Sequence, residues 1–256
     1  MKTHIHLEIK EVVAYLVLTP EPEHKPPAFD HEAFAELDAA IEQIERQPTL
    51  RAAVISSASR KHFLVGANIR TLATFDADTI DAWVRQGHTV FNRLEDLPLP
   101  VFVKVNGNAL GAGLELALAC DFIIAGPQAR FALPEANLGL ITGQGGAWRL
   151  RRRVGPAKAH EMLFTGKFID ALEAKAWGLC DVQGSLDDVD LWLQEQLAAI
   201  SRMSPRSIAE TKAMLQMFDR VDRERSCEWE VAASRRLMAE PDTMMRLKAF
   251  FENRKK

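Results

Sequence analysis

The sequence predicts a mixed α/β fold, a β/α portion followed by a helical tail, and three observations carry that prediction. Near the start, Ile5, Leu7 and Ile9 alternate with His6, Glu8 and Lys10, the period-2 signature of a half-buried strand. In the middle, residues 101–126 (VFVKVNGNALGAGLELALACDFIIAG) read as strand, tight turn, helix. From Ser185 onwards the pattern is almost wholly helical, with Ser204-Pro205 as a cap and first-turn pair and Pro241 opening a last helix. The division this suggests is a β/α core over residues 1–184 and a helical region over residues 185–256.

Each element has its own signal. The N-terminal alternation is followed after a turn by a denser apolar run, residues 12–18, so the two form a hairpin with His4 and His6 on its solvent face. Pro20, Pro22, Pro26 and Pro27 make the next stretch a loop, and Asp30 then caps a helix whose Phe34, Leu37, Ile41 and Ile44 follow helical spacing. Residues 52–56 (AAVIS) read as a buried strand. The segment RKHFLVGANIR, residues 60–70, holds Gly66 and Ala67, a low-bulk place where backbone can approach a ligand. Asp78 is expected to cap the next helix, with Ile80, Trp83, Val84, Phe91 and Leu94 on one face, Trp83 and Phe91 as core, and Pro98 and Pro100 past its end. Beyond the central stretch, residues 122–125 and 131–133 read as short strands. Glu135 then sits in a loop beside glycines, and LGLITGQGG leads into a helix beginning near Gly146. Asp170 and Glu173 form a capping-box pattern for a helix that Gly178 ends, and residues 179–182 read as one more strand. No internal repeat, low-complexity segment or interdomain linker stands out.

Composition bounds the function. A chain of 256 residues can bury roughly three quarters of its unfolded surface, so the core is substantial. A net charge of −3 with 47% hydrophobic and 26% charged residues gives no general attraction to nucleic acid or anionic lipid. The start MKTHIHLEIK has no apolar h-region, and Glu115 and Asp121 interrupt the longest apolar stretch, which argues against secretion and membrane spanning. Cys120, Cys180 and Cys227 are odd in number and widely spaced, which points to a reducing cytosol, no disulfide and no structural zinc. The runs RLRRR, residues 149–153, and NRKK read as a solvated face or an anionic-ligand patch, since interleaved aromatics are missing apart from Trp148.

The chemistry concentrates in the central stretch. Val101, Phe102, Val103 and Val105 form a β-prone run, Asn106 and Gly107 break it, and Gly111, Ala112 and Gly113 make a low-bulk turn before the helix-prone run 114–120. Such a turn leaves the first N–H groups of the helix without intrahelical partners, and the dipole adds partial positive charge, so negative charge is favoured there. No third glycine follows Gly113 at the spacing of the dinucleotide fingerprint, which makes a phosphate site the weaker reading. Glu115, inside an otherwise apolar helix, is either paired, hydrated or working, or it merely complements the dipole.

Three segments in this order, HFLVGANI, NGNALGAGLELALACDF and FALPEANLGLITGQGG, resemble the crotonase superfamily, the enoyl-CoA hydratase/isomerase family. The resemblance covers about residues 12–182, and the helical tail agrees in length. It implies a spiral of repeated β-β-α units and a C-terminal helical region for trimerisation and pocket closure. It also implies trimers often paired into hexamers, a cytoplasmic enzyme of fatty acid metabolism, and acyl-CoA thioester substrates. No metal or redox cofactor is expected, because the thioester itself acidifies the α-carbon and coenzyme A arrives as part of the substrate.

Carried over residue by residue, the two oxyanion-hole N–H groups match Ala67 and Ala112, the catalytic carboxylates match Glu115 and Glu135, and the glycine that helps hold the reacting water matches Gly143. Both alanines lie in low-bulk turns, so two N–H donors can hold the thioester oxygen as it becomes an enolate. Two carboxylates facing one water repel each other, so one is expected to hold a proton at neutral pH while the other accepts one. The resemblance also assigns Val65, Gly66, Asn68, Ile69 and Gly111 to substrate binding and Phe250 either to pocket closure or to helix core; near the adenine side EPEHKPPAFD replaces the common Arg/Lys-Asn-Ala pattern, which leaves Lys25, Ala28 and Phe29 only as candidate coenzyme A contacts. The sequence departs from the family pattern at several points. Asn68 stands where Asp is usual and Val65 where a smaller residue is common. Thr142 replaces a frequent proline, and Asn253 a phosphate-contacting lysine. The expected reaction is addition of water to a 2-enoyl-CoA. The alternatives are a Δ3,Δ2-enoyl-CoA isomerase or another crotonase-type acyl-CoA enzyme, and a non-catalytic acyl-CoA or RNA-binding relative.

Overall fold

The computed structural model describes residues 2–217 and 223–253. Strands β1 (Lys2–Lys10) and β2 (Val13–Glu21) form the expected hairpin, turning through Glu11 at φ +54°. β2 extends past the expected end and takes in Pro20, which pairs with Thr3 beyond the last β2 residue matched to the next strand. Helix α1 (His31–Glu45) begins at Asp30, whose carboxylate accepts from the Ala33 N–H at 2.9 Å.

Next come β3 (Ala52–Ser57), β4 (His62–Leu64), a single-turn helix α2 (Ile69–Leu72) and α3 (Ile80–Glu95). Asp76, not Asp78, serves the start of α3, accepting from the Asp78 and Thr79 N–H groups at 3.1 and 3.0 Å. A short carboxylate reaches the N–H groups two and three residues ahead of it, so the acid must precede the helix by more than Asp78 does.

The central stretch holds one element more than expected. β5 (Val101–Val105) is followed by a second strand, β6 (Asn108–Leu110), before α4 (Ala112–Leu118) begins two residues earlier than the expected 114. After it come β7 (Phe122–Ala125) and β8 (Arg130–Ala132), then a 3-10 turn over Glu135–Leu138. α5 (Gly146–Thr165) breaks at Gly155, φ +79°, ahead of Pro156. β9 (Ile169–Asp170), α6 (Ala171–Ala176) and β10 (Val182–Gln183) complete the strands, the last covering only the end of the expected 179–182 run. Helices α7 (Leu186–Ser201), α8 (Pro205–Met217), α9 (Arg223–Met238) and α10 (Pro241–Asn253) follow.

The strands form two sheets, ordered β1-β2-β3-β5-β7-β10 and β4-β6-β8-β9, parallel except for the β1–β2 and β8–β9 pairs. Three times the chain runs a strand in the first sheet, then one in the second, then helix: β3-β4, β5-β6 and β7-β8. This is a spiral of β-β-α units whose repetition leaves no trace as repeated sequence.

A parallel sheet buried on both faces needs apolar residues at every position. Ala53, Ile55, Val101, Val103 and Ile123 face the main core with α1, α3 and α4, while Ala52, Val54, Phe102 and Ile124 face Val189, Leu193 and Leu197 of α7. The expected boundary at residue 184 thus falls between β10 and α7, yet α7 covers the sheet. α8 is tethered by Lys212, whose ammonium donates to the Leu99 carbonyl at 3.0 Å and to Asp121 at 2.7 Å. Arg236 of α9 forks onto Glu210 of α8 at 2.8 and 2.7 Å.

Candidate active site

Two backbone turns meet at the top of the second sheet. In the first, Phe29 and Ala67 form an isolated parallel bridge: the Phe29 N–H donates to the Gly66 carbonyl at 2.8 Å and the Asn68 N–H to the Phe29 carbonyl at 2.7 Å. In a parallel bridge the middle residue's own N–H points the other way, so the Ala67 N–H faces away from Phe29. In the second, Ala112 is the first residue of α4, and its N–H is among those with no partner inside the helix.

Gly111 makes this turn with φ +52°, a conformation L side chains rarely adopt, and a Cβ there would stand 2.9 Å from Glu135 Oε1. Gly113 is held for a different reason. A Cβ on it would fall 2.0 Å from the Leu64 carbonyl, so only glycine lets α4 lie against β4. The two turns adjoin: a Cβ on Gly66 would lie 3.8 Å from the Ala112 nitrogen.

Glu115 sits one turn into α4 and is 1% exposed. Its Oε1 accepts from the Gln144 N–H at 2.8 Å and the Gly146 N–H at 2.9 Å. Burial pushes this carboxyl up to about 7; the two backbone donors oppose the rise, the Glu135 charge adds to it, and the Arg149 charge opposes it. Glu135, in the 3-10 turn, is also raised by burial, and its Oε2 is buried with no hydrogen-bond partner. A buried carboxylate oxygen left unpaired is costly unless something binds it.

Both carboxyls line a cavity of about 630 Å³ together with Val65, Gly66, Ala67, Ile69, Gly111, Ala112 and Gly143. A larger cavity, about 1000 Å³, lies between the end of α4, α5 and α8, and contains neither glutamate. Its cations are spoken for: Arg149 and Arg152 pair with Glu95, Arg153 with Asp181 and Lys212 with Asp121. In the RLRRR run Arg149, Arg152 and Arg153 are thus held in ion pairs with this chain's own carboxylates, while Arg151 is exposed, so the run is only in part the expected solvated face. Among the described residues, no group of three or more His, Cys, Asp or Glu side chains could hold a metal ion.

Residues 8–256 match the enoyl-CoA hydratase/isomerase family. The chain belongs to that family. It is 32% identical over 228 residues to a probable mitochondrial enoyl-CoA hydratase of Arabidopsis thaliana, covering 89% of this chain and 76% of that protein. It is 34% identical over 212 residues to a carnitinyl-CoA dehydratase of Proteus mirabilis, covering 83% and 80%. The crystal structure of an enoyl-CoA hydratase from Bacillus anthracis superposes with a TM-score of 0.90 at 29% identity, over 98% of this chain and 96% of that one. The crotonase fold is thus established. No helix among the described residues is long and apolar enough to cross a membrane.

Other site residues expected from this family resemblance are not brought to the cavity. Phe29 is fully buried, stacked on Phe34 at 4.6 Å between ring centres, and serves the site through its backbone. Ala28 is buried too, its N–H and carbonyl both bonded to the Thr3 hydroxyl at 2.9 Å. Lys25 is exposed and outside the lining, and Asn68 caps α2 by accepting from the Arg70 N–H at 3.1 Å. Phe250 falls in α10, but its side chain lies outside the described residues, as does that of Asn253. Conversely, Ile80, Trp83, Val84, His88 and Gln144 line the cavity. The helical spacing of α3 marked the first three as one face, without telling whether that face met core or ligand.

Proposed function

We propose that the protein is an enoyl-CoA hydratase, adding water reversibly to a 2-enoyl-CoA to give a 3-hydroxyacyl-CoA. What carries the reading is one juxtaposition: two buried carboxyls with raised pKa beside two backbone turns whose N–H groups at Ala67 and Ala112 have no strand or helix partner. The thioester oxygen would accept from both N–H groups, which hold it most strongly as charge develops in the enolate. Water would be held between Glu115 and Glu135 near Gly143. One carboxylate takes the water's proton as oxygen bonds to C3, and the other, protonated, delivers a proton to C2. A carboxyl titrating near 7 is suited to either role at neutral pH. The name carnitinyl-CoA dehydratase denotes loss of water, the same class of equilibrium read in reverse.

Replacement of Glu115 or Glu135 by Gln keeps shape and removes proton exchange. Each change should lower hydration of 2-butenoyl-CoA by about 10² to 10⁴-fold, with ester binding retained. If the reaction is instead migration of a 3-enoyl double bond, no water is activated and Glu115→Gln should be mild while Glu135→Gln stays severe. Rapid 3-enoyl isomerisation by Glu115→Gln, with negligible hydration by the unmodified protein, would overturn the proposal in favour of the isomerase.

A further inference from the structure

The cavity around Glu115 and Glu135 has walls that are apolar along α3 and residues 138–142, where Ile80, Val84, Leu140 and Ile141 line it. Besides Asp76 and Thr142, two polar side chains interrupt this lining, His88 and Gln144, and the hydration chemistry uses neither of these. His88 lies one turn beyond Val84 on α3, so the two share a face of the helix. Gln144 is 4% exposed and its side chain lies across Gly87: a Cβ on that glycine would stand 2.2 Å from Gln144 Cγ and 3.1 Å from Nε2. Absence of a side chain at Gly87 thus makes the space that brings the carboxamide beside the start of the His88 turn.

Neither group is already occupied. The Gln144 main chain is committed, its N–H to Glu115 and its carbonyl to Arg149 at 2.7 Å, which holds the residue in place. Among the described residues, the Gln144 carboxamide and the His88 imidazole have no hydrogen-bond partner. Both groups open onto the cavity, so an unpaired amide and imidazole facing an otherwise apolar space are placed to meet a ligand atom. Burial holds the imidazole below its ordinary titration range, with the Arg149 charge adding to the effect, so the ring is neutral and presents one donor and one acceptor. The carboxamide likewise offers both.

We infer that His88 and Gln144 form a polar subsite within the acyl cavity, and that the substrates are thioesters whose acyl chain carries a neutral oxygen, a hydroxyl or a carbonyl, beyond C3. The inference rests on the reading of this cavity as the acyl site. A neutral oxygen matches two neutral groups that can each donate and accept. A charged substituent would lose its water against apolar walls with no opposite charge from either residue; Arg149 is already bound to Glu95, and the Asp76 carboxylate already accepts from the Asp78 N–H and from the Thr79 N–H and hydroxyl.

Calorimetric titration with saturated esters reads the subsite without any turnover. Butanoyl-, pentanoyl- and hexanoyl-CoA are compared with the same esters bearing a hydroxyl at carbon 4, 5 or 6. At one of these positions the hydroxylated ester should bind at least about tenfold more tightly than its plain partner. That preference should fall to within about twofold in His88→Leu and, separately, in Gln144→Met. No preference at any position, binding of neither ester, or a preference that survives both substitutions overturns the inference, and the comparison in the unmodified protein decides even if a variant fails to fold. Hydration of 2-butenoyl-CoA is followed in parallel. Preference without hydration removes the hydratase and leaves the subsite, while hydration without preference does the reverse.

Discussion

Glu115 is where burial and chemistry conflict most directly. In the unfolded chain its carboxyl loses its proton near the ordinary value of 4.5, whereas in the folded protein it holds on up to about 7. Between those values the folded state binds more protons, so stability falls as pH rises through this window and levels off above it. The difference corresponds to about 3 kcal/mol. Denaturant titrations of Glu115→Gln should therefore gain on the unmodified protein from pH 4.5 to 7 and run parallel to it beyond. A constant difference across that range would show that Glu115 ionises in the fold as it does in water. Ala112 supports a second test at the same scale. Proline is well tolerated at the first position of a helix, where its missing N–H breaks no intrahelical bond. Ala112→Pro should fold, bind esters and lose about 10² to 10³-fold in kcat, as expected for one oxyanion donor, while Ala112→Gly stays near normal.

Among the elements, α5 ties the site to the rest of the fold. Arg149 in its first turn is fully buried and reaches Glu95 at 3.0 and 2.8 Å, Asn92 at 2.6 Å and the Gln144 carbonyl at 2.7 Å. It thereby joins the end of α3 to the loop whose N–H groups hold Glu115. Arg149→Met would leave Glu95 buried with only Arg152 beside it, and loss of one partner of a buried pair costs about 3–5 kcal/mol. The expected outcome is a large drop in denaturation midpoint together with weakened hydration, since the Glu115 clamp loses its support. An unchanged midpoint would mean that Arg152 alone compensates Glu95.

At the scale of the whole molecule, the helical tail leaves apolar side chains uncovered. Val231 and Met238 of α9, and Met244, Met245 and Leu247 of α10, are each at least 40% exposed. A stable trimer or hexamer of the 28.6 kDa chain is the expected outcome of sedimentation at micromolar concentration. A fully active monomer at that concentration would mean that these side chains remain in water.

The strand-turn-helix at residues 101–126, the Asp30 and Asp170 caps and the isolated acid at Glu115 are all legible from residue order, because period, capping and charge in an apolar run are local signals. The family motifs carried the pairing of Gly66-Ala67 with Gly111-Ala112 as an implication. The β6 strand is not legible in the sequence because three residues, NAL, have no period to read, and they become a strand only when β4 and β8 flank them. RLRRR looked solvated because a sequence shows charges without their partners; Glu95 and Asp181 lie 54 and 28 residues away from the arginines they hold. The same holds for Trp83, Val84, His88 and Gln144. Helical spacing fixes which side chains share a face, but whether that face meets core or cavity depends on what the rest of the chain leaves unfilled, a property of three-dimensional packing alone.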